Sequence, residues 1–422
     1  MKRRNLLLGA GALAIGGTWA LRPSDNGRPH SAYFASLQDT LRQAGLMRPC
    51  AVIDLDCLDH NIDVSTRALA KAGKQLRIVE KSLPSPELLS YIRDRSGSKR
   101  LMSFHLPFLI ADTQNMPDAD ILLGKPMPVA AAAEFYAAVR GPFKAEQQLQ
   151  WLIDTPERLK QYQELAAGLS LRMNINIELD VGLHRGGVTS TEMMSEMFTI
   201  ISAHPEQLRF SGFMGYDPFV VMLPAVLGSR EQQLDKVMAI YQSHVDLVKQ
   251  KFPSLWRDDL TLNTAGSPTY ALHLDERLST ELAIGTGLLK PSHYDIATLA
   301  EHKAAVFIST PVLKTTGPMQ LPGLGRASQL FSAWDANQRE SLFLYGGQWL
   351  ADPESPQGLQ INGLYGRSAN QELMNISPRA NVKVDDLVFL RPQQTEAVLL
   401  QFGDLIAVRG NEVIAQWPTL KG

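Results

Sequence analysis

The chain has 422 residues, 45% of them hydrophobic and 20% charged, with a formal net charge of −2. That length supports two or three domains with sizeable cores. The near-neutral charge leaves neither the basic footprint of a nucleic-acid binder nor an acidic tail, so a small molecule is the expected partner.

The chain opens with Lys2-Arg3-Arg4 ahead of an apolar, Gly- and Ala-rich run from Leu6 to Leu21. This is the layout of a secretory signal. The paired Arg3 and Arg4 give it a twin-arginine character, the route of proteins that fold and load a cofactor before export. The run is shorter and less apolar than the roughly twenty residues a membrane span needs. Residues 1–30 therefore read as export signal and linker, and the protein as periplasmic, with no stable membrane association after export. An uncleaved anchor facing the periplasm is the alternative. The cysteines, Cys50 and Cys57, flank the extended run AVIDLD, which would hold their Cα atoms on the order of 20 Å apart, beyond disulfide reach.

A short amphipathic helix, YFASLQDTLRQAG, and the strand CAVIDLD fill residues 31–56. Short β-branched or apolar runs then recur at QLRIVE, RLMSFH, DILLG, LQWLID, RMNINIELD, LRFSGFMGY, LTLNTAG and TELAIG. Helical stretches such as PSPELLSYIRD, TPERLKQYQELAAG and REQQLDKVMAIYQSHVDLVKQ separate most of them. Eight such alternations over about 210 residues predict a (β/α)8 barrel of the TIM type over residues 57–295. A doubly wound open sheet shares the alternation, but no Gly-rich dinucleotide fingerprint follows the first strand. From residue 296 to 422 the helices give way to strand-like segments, AAVFISTPVLKT, ESLFLYGGQW, LQINGLYG, VKVDDLVFL and EAVLLQFGDLIAVRGNEVIAQW, with a hairpin turn at Arg409-Gly410-Asn411. This predicts a C-terminal all-β domain, and an α/β fold overall.

Barrel sites are built at the carboxyl ends of the strands, which selects five loops: Lys81, then DVGLHRGGV (Asp180 to Val188, with His184 and Arg185), then Tyr216-Asp217, then AGSPT (Gly266, Ser267 and Thr269), then Gly285-Thr286-Gly287. Gly266, Ser267 and Thr269 lead into a short helical pattern whose N–H groups and hydroxyls suit a phosphate, and Gly285 and Gly287 permit close backbone approach. A lysine facing a bound phosphate suggests pyridoxal phosphate, whose aldehyde needs an amine nucleophile. Taken singly, each feature has a plainer reading: a lysine at a strand end is most often a solvated charge, a Gly-Ser-Pro-Thr loop is usually a turn, and Asp180 with Arg185 suits a structural ion pair.

At these residues the sequence resembles the fold-type III pyridoxal phosphate enzymes, the group of alanine racemase, and within it the branch of D-threonine aldolase and D-serine dehydratase. The resemblance is carried by AVIDLDCLDHNI with Asp56 and Asn61, by Arg77 and Lys81 in RIVEKS, and by ELDVGLHRGGV, GFMGY, AGSPT and ELAIGT. It implies a Schiff base at Lys81, cofactor contacts from Arg77, Arg185, Tyr216, Gly266, Ser267, Thr269, Gly285 and Thr286, catalytic roles for Lys81 and Tyr216, a homodimer, and a place for CAVIDLD beside the β domain. The sequence departs from that branch where a His-x-Cys or His-x-Asp pair holds a divalent metal. RPQQTEAVL puts Gln394 and Glu396 there, and NQELM puts Leu373 where a histidine would stand. Two oxygen-bearing side chains make a poor zinc site. A hard cation at Glu396 is conceivable, and no metal is the expectation. The expected function is a lyase or aldolase acting on a D-3-hydroxy amino acid. A racemase or a non-enzymatic pyridoxal phosphate binder are the alternatives.

Overall fold

In a computed structural model of the chain, residues 22–320 and 329–421 are described, and the leader run 1–21 lies outside them. Two compact units are present. One comprises the residues up to Ile53 with Val306–Gln393 and Ile406–Gln416, and the other Asp54–Ala305 with Gln394–Leu405 and the residues from Trp417 onward.

After β1 (Cys50–Asp54), the second unit runs through β2 (Gln75–Val79), β3 (Arg100–Ser103), β4 (Asp120–Leu123), β5 (Leu149–Ile153), β6 (Met173–Leu179), β7 (Leu208–Gly215), β8 (Thr261–Thr264) and β9 (Glu281–Ile284). These eight strands close into a parallel barrel, with β9 pairing β2 from Gln75↔Glu281 to Ile78↔Ile284. Nearly all their residues are buried, as expected of strands with side chains inside and helices outside. The helices start where short polar residues cap them: Asp54 accepts from Cys57 N at 2.9 Å, Ser85 from Leu88 N at 3.4 Å with Pro86 at the first turn, and Ser229 forms a reciprocal capping box with Gln232. The helix Leu106–Asn115, between β3 and β4, is one the sequence pattern did not single out. Among the described residues no helix is long and apolar enough to cross a membrane.

The first unit is built on a nine-stranded sheet to which β1 and β10 (Val306–Thr316) are central and antiparallel. β11 (Glu340–Leu344), β12 (Ala351–Ser355), β13 (Gln360–Ile361), β14 (Leu373–Ile376), β15 (Leu387–Pro392), β16 (Asp404–Arg409) and β17 (Glu412–Pro418) complete it. Gly410, at φ +54°, turns β16 into β17, at the expected hairpin. The stretch EAVLLQFG, 396–403, is not strand: Leu399–Gln401 forms a 3-10 turn, and Gln394–Leu405, inside the span read as β domain, belongs to the barrel's unit. The stretch 22–30, read as linker, is fastened to the sheet: Arg28 N bonds Gln357 O at 3.1 Å, and the His30 ring lies 2.8 Å from Ser355 Oγ and 3.1 Å from Leu387 O. Both cysteines are free.

Candidate active site

The barrel's carboxyl-end mouth holds a cleft of about 590 Å³, open solvent at its entrance included, in the size range of small-molecule sites. Lys81, Arg185, Tyr216, Gly266, Ser267, Gly285 and Thr286, seven of the residues selected from sequence, line it together. Every lining residue lies in the barrel's unit.

Lys81 sits in a one-turn 3-10 segment, Glu80–Ser82, that ends β2. Its ammonium lies 3.5 Å from Glu396 Oε1 and 5.0 Å from the centre of the Phe104 ring. Its side chain is 42% exposed and that of Glu396 28%, so the amine is reachable yet partly walled. Behind Lys81, Glu80 and Asp112 are fully buried and in hydrogen-bonding contact. Burial raises both carboxyls, and for Asp112 the Glu80 charge adds to it. Ser103 Oγ donates to Glu80 Oε2 at 2.6 Å. Among the described residues no donor reaches Glu80 Oε1 or Asp112 Oδ2, and a proton shared by the two acids satisfies both.

Beside the Lys81 segment, at the end of the neighbouring strand β9, is a knot of small polar residues. Ser267 Oγ accepts from the N–H groups of Gly285, at 3.1 Å, and Gly287, at 2.9 Å. A Cβ on Gly285 would stand 2.6 Å from Val79 O, and one on Gly266 2.4 Å from the Tyr216 ring, so neither position accepts a larger residue without displacing the backbone or the ring. The Tyr216 ring carries the Arg185 guanidinium 5.2 Å from its centre, a cation–π distance. Burial holds the Tyr216 phenol above its ordinary pKa although Arg185 opposes it. Arg185 is presented by a loop that Asp180 ties: its Oδ1 accepts from Gly182 N at 3.0 Å and His184 N at 2.9 Å, and Oδ2 lies 2.8 Å from the His184 ring. His184, largely exposed, does not line the cleft. Glu178, at the base of this loop, is pushed up to about 7 by burial and then by Asp154.

Two residues expected to touch a cofactor do not line the cleft. Arg77 is fully buried one layer deeper, because residues two apart on a strand face the same way and are about 7 Å apart along it: Val79 lines the cleft and Arg77 lies below it. Arg77 pairs with Glu281 and donates to Leu101 O at 2.8 Å and Asp120 O at 3.0 Å. Its influence reaches the cleft through Glu281, which accepts from Asn263 Nδ2 at 2.9 Å, and Asn263 does line it. Thr269 is buried behind its loop, where it donates to Asp217 Oδ1 at 2.8 Å and accepts from Gly266 N at 3.2 Å. Asp217 in turn lies 2.7 Å from His273 Nε2. Thr269 thus braces the loop from the rear.

The sequence reading missed Tyr294, Ser82, Asn263 and Phe104, all of which line the cleft. Tyr294 is hydrogen-bonded to Thr286 and driven far above the ordinary phenol pKa by burial. No motif marks it: it lies ten residues beyond β9, in a 3-10 turn, Ser292–Tyr294, that follows the short helix Thr286–Leu289. Of the pair standing at the resembled family's metal position, Gln394 is exposed and outside the cleft, whereas Glu396 lines it. Among the described residues no group of three or more His, Cys, Asp or Glu side chains is placed to hold a metal ion.

Residues 53–292 match the alanine racemase N-terminal domain family. No curated protein sequence matches the chain. Among solved structures, D-threonine aldolase from Filomicrobium marinum is similar at TM-score 0.68 and 14% identity, covering 88% of this chain and 96% of that one. D-threo-3-hydroxyaspartate dehydratase from Delftia sp. HT23 is similar at 0.66 and 16%, covering 89% and 97%. Alanine racemase from Bacillus anthracis is similar at 0.66 and 14%, covering 88% and 98%. At such identities the likeness concerns the fold.

Proposed function

The chain belongs to the alanine racemase N-terminal domain family, whose members depend on pyridoxal phosphate, and from that premise we propose that it is a pyridoxal phosphate enzyme acting on a D-amino acid, as a lyase of the aldolase type on a 3-hydroxy substrate. The observation that carries this reading is the Lys81 amine opening into a cleft that is also lined by the Ser267 and Gly285 knot, where Ser267 Oγ accepts from Gly285 N and Gly287 N. The donor set suits the cofactor. Lys81 offers the amine for its aldehyde, the hydroxyls of Ser82, Ser267 and Thr286 and the backbone around Gly266 and Gly285 suit its phosphate, and the Tyr216 ring under Arg185 offers a flat, cationically backed surface for its ring. When bound, pyridoxal phosphate supplies an electrophilic carbon for amines and a ring that takes up charge released at the substrate's α-carbon.

The chain's own residues then have separate tasks. Lys81 would hold the cofactor through Nζ, and the same Nζ, when displaced by a substrate amine, would accept or return a proton at the substrate's α-carbon. Arg185, the other cation lining the cleft, orients the substrate carboxylate. Phe104 and Met102 exclude water beside Lys81. Racemisation is a second reading, favoured by the Tyr294 phenol on the same cleft, a candidate for the second proton carrier. Both readings keep the exported and homodimeric state expected from sequence, which cell fractionation and light scattering test.

Purified protein is mixed with pyridoxal phosphate and then with a panel of D- and L-amino acids in D2O. A visible absorbance that Lys81→Ala abolishes, followed by aldehyde release from a D-3-hydroxy amino acid, is expected. Solvent deuterium at the α-carbon of both enantiomers without cleavage would favour racemisation, and a protein that stays colourless defeats the proposal.

A further inference from the structure

Glu396 is the only carboxylate among the described residues that line the cleft, and its two oxygens are differently held. Oε2 lies 3.0 Å from the Thr286 hydroxyl and 3.2 Å from the Thr395 hydroxyl, both placed to donate to it. The Thr286 hydroxyl is also placed to donate to Ser82 Oγ at 2.6 Å, so its one proton serves either acceptor, and the Thr395 hydroxyl is the second donor to Oε2. Oε1 faces the Lys81 ammonium at 3.5 Å. One oxygen is therefore anchored by hydroxyls, and the other is directed at the amine that would hold the cofactor. Once displaced by a substrate amine, Lys81 serves as a proton carrier and not as a fixed ammonium partner, so that oxygen has room for another hydrogen-bond donor. A hydroxyl on the carbon next to the substrate's α-carbon fills that place, whereas a second carboxylate there would face a like charge.

Resting on the pyridoxal phosphate reading above, we propose that Glu396 Oε1 is the catalytic proton acceptor for the β-hydroxyl of the substrate, in a site that works without a divalent metal and takes D-3-hydroxy amino acids with a neutral side chain. Glu396 Oε1 takes the hydroxyl proton, and the freed oxygen pair becomes the second bond of the new carbonyl. The Cα–Cβ bond breaks with its electron pair left on the α-carbon side. Lys81 Nζ delivers a proton there and recovers one from Glu396 Oε1, 3.5 Å away, so one 3-hydroxy amino acid gives one aldehyde and one glycine, with the carboxylate restored. Gln394, exposed and outside the cleft, has no part in this.

Reconstituted parent, Glu396→Gln, Glu396→Asp and Gln394→Ala proteins are dialysed against EDTA and assayed with D-threonine and D-threo-3-hydroxyaspartate across pH. In parallel, manganese and zinc are titrated into the parent by calorimetry. The expected result has four parts. Glu396→Gln keeps the cofactor absorbance but loses aldehyde release by about 100-fold or more in kcat, the scale of a general base. The acid limb of the pH profile, present in the parent, is absent from what activity remains. Glu396→Asp recovers part of the rate, and Gln394→Ala follows the parent. D-threonine outcompetes the dicarboxylate, and neither metal binds. The proposal is overturned by parental rates in Glu396→Gln, by silencing with EDTA that manganese reverses, or by a parent that takes up cofactor yet cleaves no D-3-hydroxy amino acid. A parent that takes up no cofactor at all defeats the underlying reading instead, and the absorbance distinguishes that case.

Discussion

The barrel interior has two ends that use charge in opposite ways. At the floor, Arg77, Arg100, Asp120 and Glu281 form a closed set: Glu281 meets both arginines, Arg100 lies 3.1 Å from Asp120, and Asn263 fills a remaining acceptor. At the mouth, which the chain reaches four residues after Arg77, Lys81, Arg185 and Glu396 stand around a cleft, with only the 3.5 Å approach of Lys81 to Glu396 linking them. Both ends rise from the same strands, because Arg77, Val79 and Lys81 follow one another by twos, as do Glu281, Ala283 and Gly285. Charges fully satisfied by protein partners specify the fold, whereas charges left with a free side are available to a ligand.

The sharpest way to test that contrast is to remove one charge from each end. Lys81→Ala should abolish the cofactor's visible absorbance and all turnover, yet leave the denaturation midpoint nearly unmoved, within about 0.5 kcal/mol, because the amine is partly exposed and weakly paired. Glu281→Ala should do the reverse in emphasis. It removes the acid that two guanidinium groups share, one of them wholly buried, and leaves Asp120 as their remaining carboxylate; a broken buried pair costs about 3–5 kcal/mol, to be read from urea unfolding. Equal destabilisation by the two changes would erase the distinction.

Much of this plan was legible beforehand. Short β-branched or apolar runs alternating with helical stretches announced the barrel, and Lys81, Ser267 and Gly285 could be placed at the mouth because each closely follows a strand. What escaped notice depends on direction or on distance in sequence. Arg77 lies four residues before Lys81, and only the alternation of side chains, interrupted by the 3-10 turn at Glu80–Ser82, decides that it faces the floor. Thr269 belongs to the right loop, but its hydroxyl turns back to Asp217. Glu396 was singled out only through the resembled family's metal position; that it enters the cleft from a segment more than a hundred residues beyond β9 is a return no local pattern records.

The acids behind Lys81 extend the comparison to pH. Burial raises the Glu80 carboxyl, and burial with the Glu80 charge raises Asp112. A carboxyl whose folded pKa exceeds its unfolded value near 4.5 stays protonated in the folded protein while the unfolded chain has released its proton. In that window the unfolded state binds fewer protons, so stability falls as pH rises and the penalty is absent below the unfolded pKa. The slope should approach about 1.4 kcal/mol per pH unit for one retained proton. The other groups that face the pair are Ser103, which donates to Glu80, and Arg93, whose charge opposes the rise at Asp112. Asp112→Asn offers Glu80 an amide donor in place of a second acid, and should flatten the dependence in urea titrations between pH 5 and about 8. An unchanged slope would mean that the pair shares no proton.

The smallest effect concerns the mouth's other cation. The Arg185 guanidinium lies over the Tyr216 ring at 5.2 Å, a contact worth about 1 kcal/mol. Lysine keeps the charge but loses the planar, weakly hydrated group that stacks, so Arg185→Lys should weaken cofactor binding by roughly fivefold. Arg185→Leu removes the charge as well. Arg185 now opposes the upward pull of burial on the Tyr216 phenol, so the leucine variant should move that phenol to still higher pH in ultraviolet titration, while the lysine variant leaves it closer to the parent. The fully paired Arg77 offers no such graded response: it sits on no ring, its partners are backbone carbonyls and buried acids, and a lysine there loses a fork of hydrogen bonds that nothing else can replace. Arg77→Lys should therefore register in unfolding and Arg185→Lys in ligand binding, although the chemical change is the same.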